Sequence, residues 1–201
     1  MQWHFKKLNY DILVPKLDKS IFDLSEEETD IYFKWFMEQI PVRIEYISQV
    51  CARELRIPIE YLDCSPESLR LLWKWFLKRA KTEPAIPIKD MPPALVCSIP
   101  KKNRQLTLET EYIIRDIGTY LGETFRKNLP QIYWTYYTKP INSIFVNHPL
   151  LKGFVDVSPG APPEIEFEPI HMAGIQARKI LSNNANDTDL LNIYNIWAKK
   201  I

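Results

Sequence analysis

The chain has 201 residues, 46% of them hydrophobic and 25% charged, with a formal net charge of +1. This composition excludes a disordered chain and provides for one sizeable core or two small ones that share an interface. The near balance of charge excludes a general field for nucleic acid or for an anionic membrane.

Along the chain, S-E-E-E at Ser25–Glu28 is a capping-box pattern ahead of Ile31, Tyr32, Trp35, Phe36 and Ile40 at helical spacing. It predicts a helix over 26–39 that Pro41 breaks, with a second helix following and presenting Ile44, Ile47, Val50, Cys51 and Leu55. Ser65 as N-cap and Pro66 at the first helical position predict a third helix to about residue 81, with Leu69, Leu72, Trp73 and Phe76 inward. From 82 to 104 the prolines Pro84, Pro87, Pro92, Pro93 and Pro100 predict an extended connector, with one short strand at 94–98. Thr107 caps a long helix over 108–127. After Pro130 the run I-Y-W-T-Y-Y reads as a strand, and short strands are expected at 143–146, 153–157 and 164–168. Pro169 opens a helix to about 181, and Asp187 caps a last helix over 188–199.

The fold class expected is therefore α+β: a helical N-terminal half packed on a C-terminal half whose small, mostly antiparallel sheet is covered by helices. Its parts are residues 1–83, the connector 84–104 and the α+β region 105–201, taken together as one compact unit. Gly118 and Gly122 fall one turn apart in the long helix, where each costs about 0.5–1 kcal/mol against alanine. They predict a close approach on that face, with Trp134 packed against it. The sharper alternative makes Gly122 the wall of a pocket that presents Glu123, and Gly174 invites the same two readings.

No G-x-x-x-x-G-K-[S/T], G-x-G-x-x-G, H-E-x-x-H or G-x-S-x-G occurs. His4, His148 and His171 lack close-spaced companions, so neither a metal nor a cofactor is implied. Cys51, Cys64 and Cys97 stand far apart without a C-x-x-C pair and suit reduced thiols, with a pairing of Cys64 or Cys97 with His171 as the weak nucleophile alternative. The start, M-Q-W-H-F-K-K, holds no apolar signal core and no stretch approaches the ~18 apolar residues of a membrane span, so a cytoplasmic protein without membrane contact is expected.

Carboxylates are the remaining chemistry. Asp116 and Glu123, seven apart, share a face with Tyr112 and Thr119 and lie about 10 Å apart along the axis. That stripe reads as solvent-exposed, or alternatively as a cleft opposite Tyr136, Tyr137 or His171. Glu164, Glu166 and Glu168 alternate along one side of a strand, a wet face or a meeting place for a basic partner. Arg70, Lys74 and Lys78 form a basic stripe beside Trp75 and Arg79. It reads as stems covering a core edge around a half-buried Trp75 rather than a nucleic-acid module, which would need a larger field.

The order S-P-E-S-L at 65–69, G-x-Y-L-G-E at 118–123 and then Trp134 resembles a group of small uncharacterised bacterial proteins, over most of residues 60–155. Some members look like immunity proteins encoded beside polymorphic or contact-delivered toxins, so the resemblance implies a bacterial cytosolic protein and assigns no residue a role. The function expected is protein binding, as an immunity protein that covers a toxin's active site. Candidate binding residues are Asp116, Glu123, Trp134, Tyr136, His171, Glu164, Glu166 and Glu168. The alternative is a small-ligand binder or enzyme with a pocket around Glu123 and the strand 133–137.

Overall fold

A computed structural model describes residues 10–85, 104–156 and 164–201. At its start the Ser25 hydroxyl accepts from the Glu28 N–H while the Glu28 carboxylate accepts from the Ser25 N–H, closing the capping box. Helix α1 then runs without interruption over Glu26–Leu55. The break expected at Pro41 does not occur. Proline removes one N–H and crowds the preceding turn, at a cost of about 3 kcal/mol. Yet Phe36 and Ile40 before it and Ile47, Val50 and Cys51 after it are all buried in one core, and burial of a large apolar side chain is worth about 1.5–3 kcal/mol each. Tertiary packing on both sides of the proline outweighs the local defect.

Helix α2, Pro66–Arg79, begins as the sequence predicts, with the Ser65 hydroxyl accepting from the Ser68 N–H. Trp75 is only 2% exposed, however, and its indole N–H donates to Glu54 at 2.7 Å. The half-buried reading fails because Glu54, at the far end of α1, supplies an acceptor that lets the ring sink into the core. Strands β1, Thr82–Pro84, and β2, Arg104–Leu106, pair antiparallel at the two ends of the proline-rich stretch. The strand expected at 94–98 lies outside the described residues, as do Cys97 and His4.

Helix α3, Leu108–Asn128, is capped by the Thr107 hydroxyl and forms the spine. Every residue from Asp116 to Phe125 is buried, so this segment is enclosed on all sides. The solvent-exposed stripe expected through Asp116, Thr119 and Glu123 is therefore absent: these residues are 5%, 4% and 5% exposed. A three-stranded antiparallel sheet follows, in the order β3 (Tyr133–Thr135), β4 (Leu150–Phe154), β5 (Ile165–Phe167). Leu150 and Leu151 are fully buried and begin β4, so that strand lies three residues earlier than expected. Residues 143–146 turn instead of extending, since the Ser143 N–H donates to the Pro140 carbonyl and the Val146 N–H to that of Ser143.

Helix α4, Pro169–Arg178, tightens into a 3-10 turn at Lys179–Ser182 where a longer α-helix was expected. Helix α5 spans Asp189–Trp197 with Thr188 as N-cap, and Asp187, expected to cap it, instead holds Arg70 at 2.9 Å. The outcome is an α+β fold. Its aromatic centre joins Phe125 of α3 to Phe154, Phe167 and Tyr194, with Trp197 closing over Phe154 and Phe167.

The two helical glycines are explained by what crosses them. A Cβ on Gly122 would lie 2.2 Å from the Trp134 ring, which is the packing the sequence predicts. A Cβ on Gly118 would lie 2.4 Å from the Cα of Ile170, so that position is crowded by α4 and not by the sheet. At Gly174 the first atom met is the mobile end of Arg178, and no backbone is near.

Candidate functional site

The two acids of α3 that the sequence singles out are engaged inside the fold. Asp116 accepts from Tyr10 Oη at 2.7 Å and from Arg43 Nη2 at 2.5 Å, and Arg43 continues to the Asp11 carbonyl at 2.7 Å. Burial, followed by the adjacent Asp116 carboxylate, pushes the Tyr10 hydroxyl far above its usual range, so it remains a donor at any working pH. Glu123 accepts from Trp134 Nε1 at 2.8 Å and from Arg126 through both Nε and Nη2. These bonds tie α3 to α1 and to β3. Trp134 packs edge-on against Phe36, and Tyr136 lies against Phe33 with its hydroxyl donating to Asp30 at 3.3 Å. Asp116, Glu123, Trp134 and Tyr136 thus link helix α1 to α3 and the strand.

The acidic alternation after Pro163 does not share one wet face. Glu168 turns inward, 4% exposed, and caps α4 by accepting from the His171 N–H. Burial pushes its carboxyl up to about 7, against the pull of the cap bonds and of Arg115. Because the folded value lies above the unfolded one, the favourable contribution is complete below about pH 4.5 and is lost as pH rises through 7. Glu168→Gln removes this titration. Relative to that variant, wild-type unfolding free energy should fall by about 3 kcal/mol between pH 4 and 8, as followed by urea denaturation. A difference that stays flat with pH would contradict the burial.

Glu164 and Glu166 do face outward, with Lys152 of β4 at 3.9 and 3.6 Å. The connection between β3 and β4 holds a feature that the sequence did not foretell. Residues 138–149 form a turn-rich loop whose base is fixed from inside. Asn147, 3% exposed, donates its amide to the carbonyls of Ile21 and Leu24 and its backbone N–H to that of Tyr137, while Val146 is buried. From this base Ile141 and Ile144 project, 79% and 69% exposed. The Tyr137 hydroxyl bonds Ser143 of the loop and has Glu166 beside it. Phe145 packs on the ring of His171 at 5.3 Å. His171 and Glu166 therefore meet the loop or its foot, through Phe145 and Tyr137, whereas Glu164 stands at the other end of β4, beside Gly153, and Asp116, Glu123 and Trp134 are engaged in the core. The turn signal was present in K-P-I-N-S, proline followed by asparagine and serine, but the β-branched residues around it favoured a strand.

The basic stripe is partly answered. Arg70 holds Asp187, and Arg79 holds Glu54 and Glu109, leaving Lys74 and Lys78 on the outer face of α2. Cys51 and Cys64 are buried thiols raised by burial. Among the described residues no group of three His, Cys, Asp or Glu gathers as a metal site, and no helix is long and apolar enough to cross a membrane. Comparison of the chain with protein-family models, with curated proteins and with solved structures finds no match.

Proposed function

We propose that the protein acts by binding another protein through the loop 138–149, and that it serves as an immunity protein whose bound face covers a toxin's active site in the bacterial cytosol. The observation that carries the reading is the display of Ile141 and Ile144 on a loop whose base is fastened by Asn147 and Val146. Two large apolar side chains held outward on an ordered base cost little conformational entropy when a partner covers them, which is how interface anchors act. Glu166, beside Tyr137 at the foot of the loop, pairs with Lys152 and adds charge of both signs, suited to a polar rim that sets register. The resemblance of residues 65–69, 118–123 and Trp134 to immunity-like proteins supplies the partner class.

The test is co-expression with the product of the adjacent gene. Wild type should protect the cell and co-purify with that product. Ile141→Asp combined with Ile144→Asp should weaken the complex at least a hundredfold and abolish protection, since two anchors are worth about 1.5–3 kcal/mol each. Stability should remain within about 0.5 kcal/mol of wild type, as both side chains are exposed. Failure of the wild type to bind or protect, or full protection by the double variant, would overturn the reading.

A further inference from the structure

The loop 138–149 is fastened to the segment that precedes α1, and the two present one surface. The Asn147 amide donates to the carbonyl of Ile21 at 2.9 Å and to that of Leu24 at 3.1 Å, so its bonds fall on both sides of Phe22 in the chain. Phe22 belongs to the 3-10 turn Ile21–Asp23 and is 49% exposed, with its ring 5.0 Å from that of His148. A half-exposed aromatic side chain on a braced turn offers a partner large contact area at small ordering cost. It stands at the base from which Ile141 and Ile144 project, so three large apolar side chains share one body.

The charge around this surface is one-sided. Lys19 pairs with Glu28 and Lys34 with Asp30, each at 2.7 Å, and Lys152 pairs with Glu166 at 3.6 Å. Asp23, Glu26 and Glu27 remain, exposed and without a hydrogen-bond or ion-pair partner among the described residues. Against them the loop sets the exposed Lys139, while Lys16 and Asp18, ahead of the turn, cancel each other. Burial, followed by Asp30 and then Glu26, raises the Tyr136 hydroxyl, which sets Glu26 beside the end of the strand from which the loop departs. Asp23 adjoins Phe22 in the turn itself. The positive end of α1 favours acids such as Glu26 and Glu27, but Asp23 lies outside the helix, and Ser25 and Glu28 close the capping box without any of the three.

Building on the protein-binding reading, we propose that the partner is a basic protein whose apolar pocket, rimmed by lysine or arginine, receives Phe22 together with Ile141 and Ile144, while Asp23, Glu26 and Glu27 draw it in. Exposed charge acts mainly on the rate of association, and a buried anchor mainly on the rate of dissociation. The two parts therefore separate kinetically.

The probe is the product of the adjacent gene, bound to the full chain with association and dissociation followed separately. Association with wild type should slow at least tenfold between about 0.1 M and about 1 M salt, as the screening length falls from about 10 Å to about 3 Å. Asp23→Asn combined with Glu26→Gln and Glu27→Gln should slow association about tenfold at the lower salt and flatten its salt dependence, with dissociation within about threefold of wild type. Phe22→Ala should speed dissociation at least tenfold. Phe22→Leu, which keeps an apolar side chain outward but has no ring to brace His148, should stay within about threefold of wild type. Association that is indifferent to salt, or no slower in the neutralised variant, would overturn the proposal, as would dissociation unchanged in Phe22→Ala or equally fast in Phe22→Leu. In each of those cases loss of the complex in the Ile141→Asp, Ile144→Asp variant keeps the loop as the binding surface. Absence of any complex with wild type would overturn both this proposal and the protein-binding reading.

Discussion

Asp116→Ala is expected to destabilise the protein by about 3–5 kcal/mol, measured as a shift in the urea midpoint at constant slope. The side chains of Asp116 and Arg43 are 7% and 8% exposed, so removing the carboxylate leaves a buried guanidinium with only the solvent-exposed Asp11 carboxylate, 3.6 Å away, as counter-charge. It also takes the acceptor from Tyr10, a residue 2% exposed that joins the N-terminal segment to the core. The cost is mainly that of the stranded partners. Pairing Asp116→Leu with Arg43→Met should therefore recover most of the loss, because a buried ion pair exchanged for apolar groups of similar volume is often neutral or better. A loss under 1 kcal/mol for Asp116→Ala would show that water reaches Arg43.

The second large effect separates the glycines. Alanine in a helix interior gains about 1 kcal/mol over glycine, so the sign of each substitution depends on what the new methyl meets. At Gly118 it meets the Ile170 backbone at 2.4 Å, and backbone in a packed helix pair cannot yield without moving α4. Gly118→Ala should cost about 2 kcal/mol or more net of the helix gain. Gly122→Ala should be costly too, since Trp134 is held by Glu123 and by the edge of Phe36 and has little room to withdraw. Gly174→Ala should be neutral or stabilising by up to about 1 kcal/mol, because only the flexible end of Arg178 must shift. Thermal unfolding of the three variants checks the order, and a stabilising Gly118→Ala would contradict the packing.

What could be read in the sequence was what local chemistry decides. The hydroxyl caps at Ser25, Ser65 and Thr107 bond N–H groups three residues on, and all three start their helices where expected. The glycine pair signalled crowding because no local preference explains it. What stayed hidden depends on partners distant in the chain. The helix through Pro41 persists because residues on both sides of it reach the same core. Asp116 looked solvent-facing because Arg43 is 73 positions away and Tyr10 is 106 away. Glu168 continued an alternating pattern as its neighbours did, yet the helix opened by Pro169 draws it inward as a cap. At the candidate site the sequence pointed to His171 and Glu166, which meet the loop or its foot through Phe145 and Tyr137, but not to Ile141 and Ile144.

The acids of α3 hold the fold together, and the surface we propose to meet another protein is the loop carrying Ile141 and Ile144. Amide hydrogen exchange of the protein, alone and in complex with the product of its neighbouring gene, tests this most directly. Slowed exchange concentrated in residues 138–149 and along β5 is the predicted footprint. Slowed exchange confined to the outer face of α2, with the loop unchanged in a saturated complex, would contradict it.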